Sequence, residues 1–197
     1  MTETIVHDLP EEELRFHWKS GRLSLDFVAT VGERWRRSFE RMLSTADLAR
    51  WLVESGMLQD PPLVSQRQLE SGRALREAIN RLARPGVTPE PQDRLVLNRW
   101  AARPALAPQL TGQGEVIWVA DRPVAAAFAT IARDAIDLLI GPLAGRIREC
   151  AASDCALLFV DSSRPGRRRW CAGEACGNRS RTKAYRQRRS GHARERG

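Results

Sequence analysis

Residues 150–189 read CAASDCALLFVDSSRPGRRRWCAGEACGNRSRTKAYRQRR, and this segment decides how the chain is organised. All four cysteines lie in it, as Cys150-x4-Cys155 and Cys171-x4-Cys176, with fifteen residues between the pairs. Two thiol pairs on tight turns, closed by a loop, supply four soft ligands in a tetrahedron, the donor set that Zn2+ favours. Four unrelated reduced cysteines are the plain alternative. Their confinement to one window, with none in the 149 residues before it, argues against that, and in a reducing cytoplasm clustered thiols point to metal rather than to disulfides. The x4 spacing is looser than the common x2. His192 lies beyond the second pair and is a poorer ligand candidate.

The residues between the pairs suit a small metal-centred fold. ALLFV (156–160) predicts a short strand that gives the finger its own apolar core, DSSRPG (161–166) predicts a turn, and Asn178 is placed to cap a helix over 178–190. With so few apolar residues, a metal must supply much of the folding free energy.

The same segment is dense in cations. Arg167, Arg168 and Arg169 precede the second cysteine pair, and Arg179, Arg181, Lys183, Arg186, Arg188 and Arg189 follow it. On a helix Arg179, Lys183 and Arg186 form one stripe, with Arg181 and Arg188 roughly opposite, so such a helix cannot bury a broad face. Collected like charges weaken an isolated helix. Phosphate contact accounts for them, because each Arg can make a forked pair of hydrogen bonds and release counterions. These nine residues are the candidate nucleic-acid contacts. Asn178, Gln187 and some of the arginines are the only groups suited to base edges, so target sequence is not readable. A solubilising tail, an anionic membrane surface or an acidic protein are the competing partners.

Outside this window the chain is electrostatically ordinary. Residues 1–145 carry 18 Lys/Arg and 19 Asp/Glu, whereas residues 146–197 carry 14 and 5, so the net charge of +8 belongs to the tail. That asymmetry points to a polyanion. Arg supplies 30 of the 32 basic residues, which GC-rich codons would also produce; codon bias does not explain the clustering. The composition is that of a soluble globular protein. No apolar run reaches the roughly 20 residues that cross a bilayer, and the acidic start lacks the features of a signal peptide. No membrane partner and a cytoplasmic location are therefore expected.

The first 145 residues predict a mostly helical unit with one small β-hairpin. Residues 1–21 read as a lead-in anchored by Phe16 and Trp18. RLSLDFVAT (22–30) alternates well enough for a strand, and equally could open a helix running to Met42. A helix follows from a Ser44 or Thr45 cap to Gly56, with Leu48, Trp51 and Leu52 facing inward. LVSQRQLESGRALREAINRLAR (63–84) gives a long helix with Leu75, Ile79 and Leu82 at core spacing, ended by Pro85-Gly86. A third helix spans about 90–102. PQLTGQGEVIWVA (108–120) reads as a hairpin turning at Gly112 and Gly114. A last helix runs over 123–140, with Pro123 in its first turn and Val124, Phe128, Ile131, Ala135 and Leu138 buried. Gly141-Pro142 closes it where the charge balance changes, so the expected division is 1–145 and 146–197. The short boundary predicts that the tail packs on the first unit. The fold class is α+β: a mostly helical N-terminal domain with a β-hairpin, plus a small four-cysteine finger ending in a helix.

No enzyme is expected. There is no Gly-rich phosphate loop, nucleophile elbow or HExxH, and the only histidines before the tail are His7 and His17. Asp26, Thr30, Arg73 and Arg76, with Glu77, are the candidate lining of a small-molecule pocket. A carboxylate at Asp26 in an apolar stretch needs a partner, and a structural bond, with Arg76 as one candidate, is the simpler reading.

Cys176-Gly177-Asn178-Arg179, with Arg169-Trp170-Cys171 and Phe159-Val160-Asp161 before it, closely resembles the CGNR zinc finger. In that family the finger follows a domain called ABATE, and the proteins are regarded as candidate stress-induced bacterial transcription regulators. GRLSLDFVAT (21–30) resembles the ABATE signature Leu-Asp-Phe-Val-Asn-Thr, and LSTADLARWLVESGML resembles the helix after it. This chain has Ala29 where the family usually has Asn. The resemblance implies Zn2+ at the four cysteines, DNA as partner and a sensor-like N-terminal domain for a small-molecule effector. An RNA-binding accessory protein and a scaffold whose basic finger binds an acidic protein are the alternatives.

Overall fold

The structure, a computed structural model, describes residues 9–183. Five helices build the main body. They are α1 (Leu23–Val28), α2 (Thr45–Glu54), α3 (Gln66–Ala83), α4 (Pro91–Ala101) and α5 (Pro123–Ile140). Three separate two-stranded antiparallel sheets accompany them: β1 (Val31–Gly32) with β2 (Phe39–Glu40), β3 (Ala107–Leu110) with β4 (Val116–Val119), and β5 (Ile147–Glu149) with β6 (Leu158–Val160). The α+β expectation therefore stands.

Local chemistry sets the helix ends. Ser44 and Asp47 form a reciprocal capping box on α2, Ser65 and Gln68 do the same on α3, and Gly56 leaves α2 at φ +74°. RLSLDFVAT is neither a strand nor the start of a long helix. It forms the six-residue α1, with Ser24, Leu25, Phe27 and Val28 buried. Asp134 on α5 accepts from the Ser24 backbone N–H, and Arg22 grips Asp134 and Asp137. The helix stops because the chain turns at Ala29-Thr30 into β1, whose Gly32 lies under the Phe39 ring, where a Cβ would sit 2.3 Å from it.

The core is aromatic at its centre. Phe27 meets Trp51 at 4.9 Å between ring centroids, and Trp100 meets Phe128 edge-on at 5.0 Å. Gly72 lets α3 approach α5, since a Cβ there would lie 2.8 Å from the fully buried Phe128 ring. Gly72→Ala gains up to about 1 kcal/mol of helix propensity but overpacks a tight contact, which costs about 1–3 kcal/mol. Urea unfolding is expected to show a net loss, and a larger one for Gly72→Val. A stabilised Gly72→Ala would show that Phe128 yields freely.

Strand β6 sits between two cores. Alternate residues point to opposite faces of a strand, so Leu158 and Val160, with Ile147 from β5, enter the main core, while Leu157 and Phe159 pack with the cysteines. The finger thus does not keep ALLFV for itself, as its sequence suggests. Half of that strand completes the N-terminal core, and the Val160 N–H bonds the Ser20 carbonyl at 2.8 Å.

Candidate metal centre and nucleic-acid interface

The two cysteine pairs are brought together by β5, β6 and the turn that follows Trp170. Cys150 directly follows β5, and its N–H bonds the Leu157 carbonyl. Ala156 takes φ +60°, the left-handed bend that returns the chain from Cys155 to β6. Cys171 is held from behind: the Ala151 N–H bonds the Arg169 carbonyl, and Arg168 donates to the Trp170 and Cys171 carbonyls. Cys176 sits in a wide helical turn, Gly173–Gly177, that runs into α-helix over 178–183. Asn178 is therefore inside helix (φ −66°, ψ −46°) and not its N-cap. The helix starts earlier than its sequence signals because Cys176 must turn inward. Asn178 instead accepts from Arg181.

The four Sγ atoms all lie within 4.8 Å of one another, with Cys155–Cys171 at 3.7 Å and Cys171–Cys176 at 3.5 Å. A tetrahedral ion with metal–sulfur bonds near 2.3 Å needs sulfurs about 3.8 Å apart, so the donor set fits. Three of the four thiols are buried. Hydrogen bonds aimed at sulfur suit thiolates: the Cys171 N–H reaches the Cys150 Sγ at 3.5 Å, and Arg179 reaches the Cys176 Sγ at 3.4 Å. Hydrogen bonds from Cys155 and Cys171 favour the Cys150 thiolate, while the bond to Cys150 holds Cys155 and Cys171 protonated. One thiolate is favoured, and the next one beside it is not. A divalent cation is the natural counter-charge for such a cluster.

Asp161 of the Phe-Val-Asp stretch is fully buried and organises the loop behind the cluster. It accepts from the Ser163 hydroxyl and N–H and from the Arg168 N–H, and these bonds, the Ser163 hydroxyl first, hold its carboxyl at about 2.

The candidate phosphate contacts divide by what each cation touches. Arg168 is structural, with its guanidinium 4.8 Å from the Phe159 ring centroid besides the two carbonyl bonds. Arg179 is tied to Cys176 and, at 3.3 Å, to Asp154. Arg167, Arg169, Arg181 and Lys183 are exposed. Arg186, Arg188 and Arg189 lie outside the described residues, as do His7, His192 and the rest of the expected helix to residue 190.

The four candidate pocket residues are committed to internal bonds. Asp26 accepts from the Ser20 N–H at 3.0 Å, and burial raises its pKa. Its partner is not Arg76: once α1 ends at Val28, Asp26 and Thr30 serve different neighbours. Arg76 forks onto Glu40 and donates to the Thr30 hydroxyl. Arg73 bonds the Met42 and Leu43 carbonyls.

A cavity lies elsewhere, between the main body and the cysteines. It encloses about 310 Å³, and Glu13, His17, Arg37, Arg41, Cys155 and Cys171 are among its walls. Burial, then the charge of Arg41, lowers His17 to about 4, and burial pushes Arg41 down to about 10. Ala29 packs in the cysteine cluster, and its carbonyl accepts from Arg41 at 2.9 Å. The position at which this chain departs from the ABATE signature is thus at the contact with the finger. Trp35 and Arg84 clamp Glu149 of β5 from the other side. Sequence reading missed these contacts. Their one local signal was the run Glu33-Arg34-Trp35-Arg36-Arg37, an aromatic set among surface charges.

Comparison with known families agrees with this geometry. Residues 21–142 match the ABATE profile, described as "Putative stress-induced transcription regulator". The chain belongs to the ABATE family. Residues 146–189 match the CGNR zinc finger. Both are regulatory or zinc-finger families rather than enzymatic ones. A search of the curated proteins gave no match. No helix among the described residues is long and apolar enough to cross a membrane.

Proposed function

We propose that this ABATE protein is a DNA-binding transcription regulator in which Cys150, Cys155, Cys171 and Cys176 hold Zn2+. In this reading the finger, residues 146–197, grips the phosphate backbone, and residues 1–145 regulate it. The observation that carries the reading is the set of outward cations around the thiol cluster: Arg167, Arg169, Arg181 and Lys183 are exposed, while Arg168 and Arg179 brace the cysteines. Backbone binding follows from their chemistry, since a guanidinium fork matches two phosphate oxygens. The small-effector role belongs in the cavity between the main body and the cysteines, because a ligand there would touch both.

Binding to duplex DNA and to structured RNA over a range of salt tests this. Affinity for the duplex is expected to fall steeply with salt, and replacing Arg167, Arg169 and Arg181 together with Ala is expected to flatten the log–log slope by about 3. Tighter binding to structured RNA would reassign the partner. Binding with no salt dependence, or none at all, would exclude phosphate contact and leave the acidic-protein scaffold.

A further inference from the structure

A second depression, of about 370 Å³, lies where the β1–β2 connection meets the finger. Three cations line it: Arg36 from the main body, and Arg179 and Lys183 from the finger's helix. Ser153 and Ser180 add hydroxyls, and Asp154 is the one carboxylate among the described residues. Asp154 is paired with Arg179 at 3.3 Å, so positive charge remains in excess. Lys183 donates to the Ser153 hydroxyl at 3.0 Å, which keeps the ammonium at the rim with further donors available. Arg36 is exposed, and its neighbour Arg37, not Arg36, takes Glu33 at 2.6 Å. Among the described residues no side-chain hydrogen bond or ion pair holds Arg36 there.

We propose that Arg36, Lys183 and Arg179, with the Ser153 and Ser180 hydroxyls, form a phosphate subsite shared by the ABATE portion and the finger, and that it takes a backbone phosphate of the bound nucleic acid. This rests on the nucleic-acid reading above and adds to it. Arg36 is outside the finger, so the finger alone does not carry the whole binding surface. A bridging site also couples the two parts: phosphate bound here favours the docked arrangement, and anything that shifts the β1–β2 connection weakens the grip.

The experiment compares Arg36→Ala with Arg94→Ala, an exposed arginine on α4, in the zinc-loaded full chain with a short duplex over a salt series. Both variants remove one positive charge. Arg36→Ala is expected to weaken binding several-fold at moderate salt and to reduce the slope by about 0.9, the share of one phosphate. Arg36→Ala with Lys183→Ala should reduce it by about twice that, and Arg94→Ala should leave it unchanged. Metal content and melting temperature should not move in any of the three. Equal slopes for Arg36→Ala and Arg94→Ala overturn the subsite while leaving the regulator reading intact. Displacement of the Arg36-dependent part by inorganic phosphate at constant ionic strength supports the subsite, because the free anion competes for the same cations, whereas an Arg36-dependent part that inorganic phosphate leaves untouched overturns it. Failure of the unaltered protein to bind any duplex overturns both.

Discussion

Chelating the metal, or replacing Cys171 with Ser, is expected to destabilise the main body as well as the finger. A free-standing finger would unfold alone and leave the helical core untouched. Here Ile147, Leu158 and Val160 belong to the main core, while Leu157 and Phe159 on the same hairpin pack with the cysteines. Among the described residues, Leu157 and Phe159 are the only large aliphatic or phenyl side chains buried in the cysteine cluster. Burying two such residues contributes about 1.5–3 kcal/mol each, too little to order a whole loop-rich segment at about 1–2 kcal/mol per residue. A metal at the four thiols, as proposed above, would supply the remainder. Without it the β5–β6 hairpin loses one of its two packed faces. If the main core then loses the equivalent of one or two large side chains, about 3 kcal/mol, the melting temperature should fall by about 6–12 °C for a chain of this size. Thermal unfolding followed by the circular dichroism of the helices measures this, and thiol titration confirms that the cluster has opened. An unchanged helical transition after complete chelation would show that the hairpin stays docked without its metal.

The fold was legible in the sequence wherever it is written in local periodicity. The inward faces of α2, α3 and α5 follow from the 3.6-residue repeat, and the capping residues mark where α2 and α3 begin. The thiol cluster was legible because four cysteines in one window leave few other uses. The partner of each side chain was not legible. Arg167, Arg168 and Arg169 are identical as letters, yet the middle one folds back onto Phe159 and two carbonyls while its neighbours face outward. Strand 158–160 reads as apolar throughout, and nothing local says that its two faces belong to different cores. α1 was ambiguous for a related reason. Six residues span less than two turns, so helical and strand periodicities cannot be separated there, and what decides it is Asp134, more than a hundred residues away. Arg36 escaped notice because a site shared by two parts of the chain has no spacing to recognise.

The same lesson sets the second large effect, at Glu40 and Arg76. Their side chains are 6% and 4% exposed, and two parallel 2.7 Å bonds join them. Burial alone would push the Arg76 guanidinium down, but Glu40 and Glu77 more than offset it and its pKa ends above the ordinary value. Glu77 in turn pairs with Arg34 at 2.7 Å. Glu40 does more than balance charge, since its Oε1 also accepts from the Arg41 and Met42 N–H groups. Removing Glu40 would leave Arg34 and Arg76 facing the single carboxylate of Glu77, and removing Arg76 would leave the buried Glu40 carboxylate with two backbone N–H groups and, 3.7 Å away, Arg73 as its one cation among the described residues. Breaking one side of a buried pair costs about 3–5 kcal/mol, whereas replacing both partners with apolar residues of similar volume is often neutral. Urea unfolding of metal-loaded protein is therefore expected to show Arg76→Ala and Glu40→Ala each losing about 3–5 kcal/mol. The double variant Glu40→Leu with Arg76→Met should lose less than either, because it leaves no charge unpaired at this pair. A single-variant loss below about 1 kcal/mol would mean that the pair behaves like an exposed one. Glu40 also lies in β2, across from β1, at the root of the connection that carries Arg36. Glu40→Gln keeps an oxygen acceptor for the Arg41 and Met42 N–H groups but drops the charge that positions Arg76. It should then weaken duplex binding in the folded, metal-loaded protein beyond the loss of stability, by loosening the ribbon from which Arg36 reaches the finger.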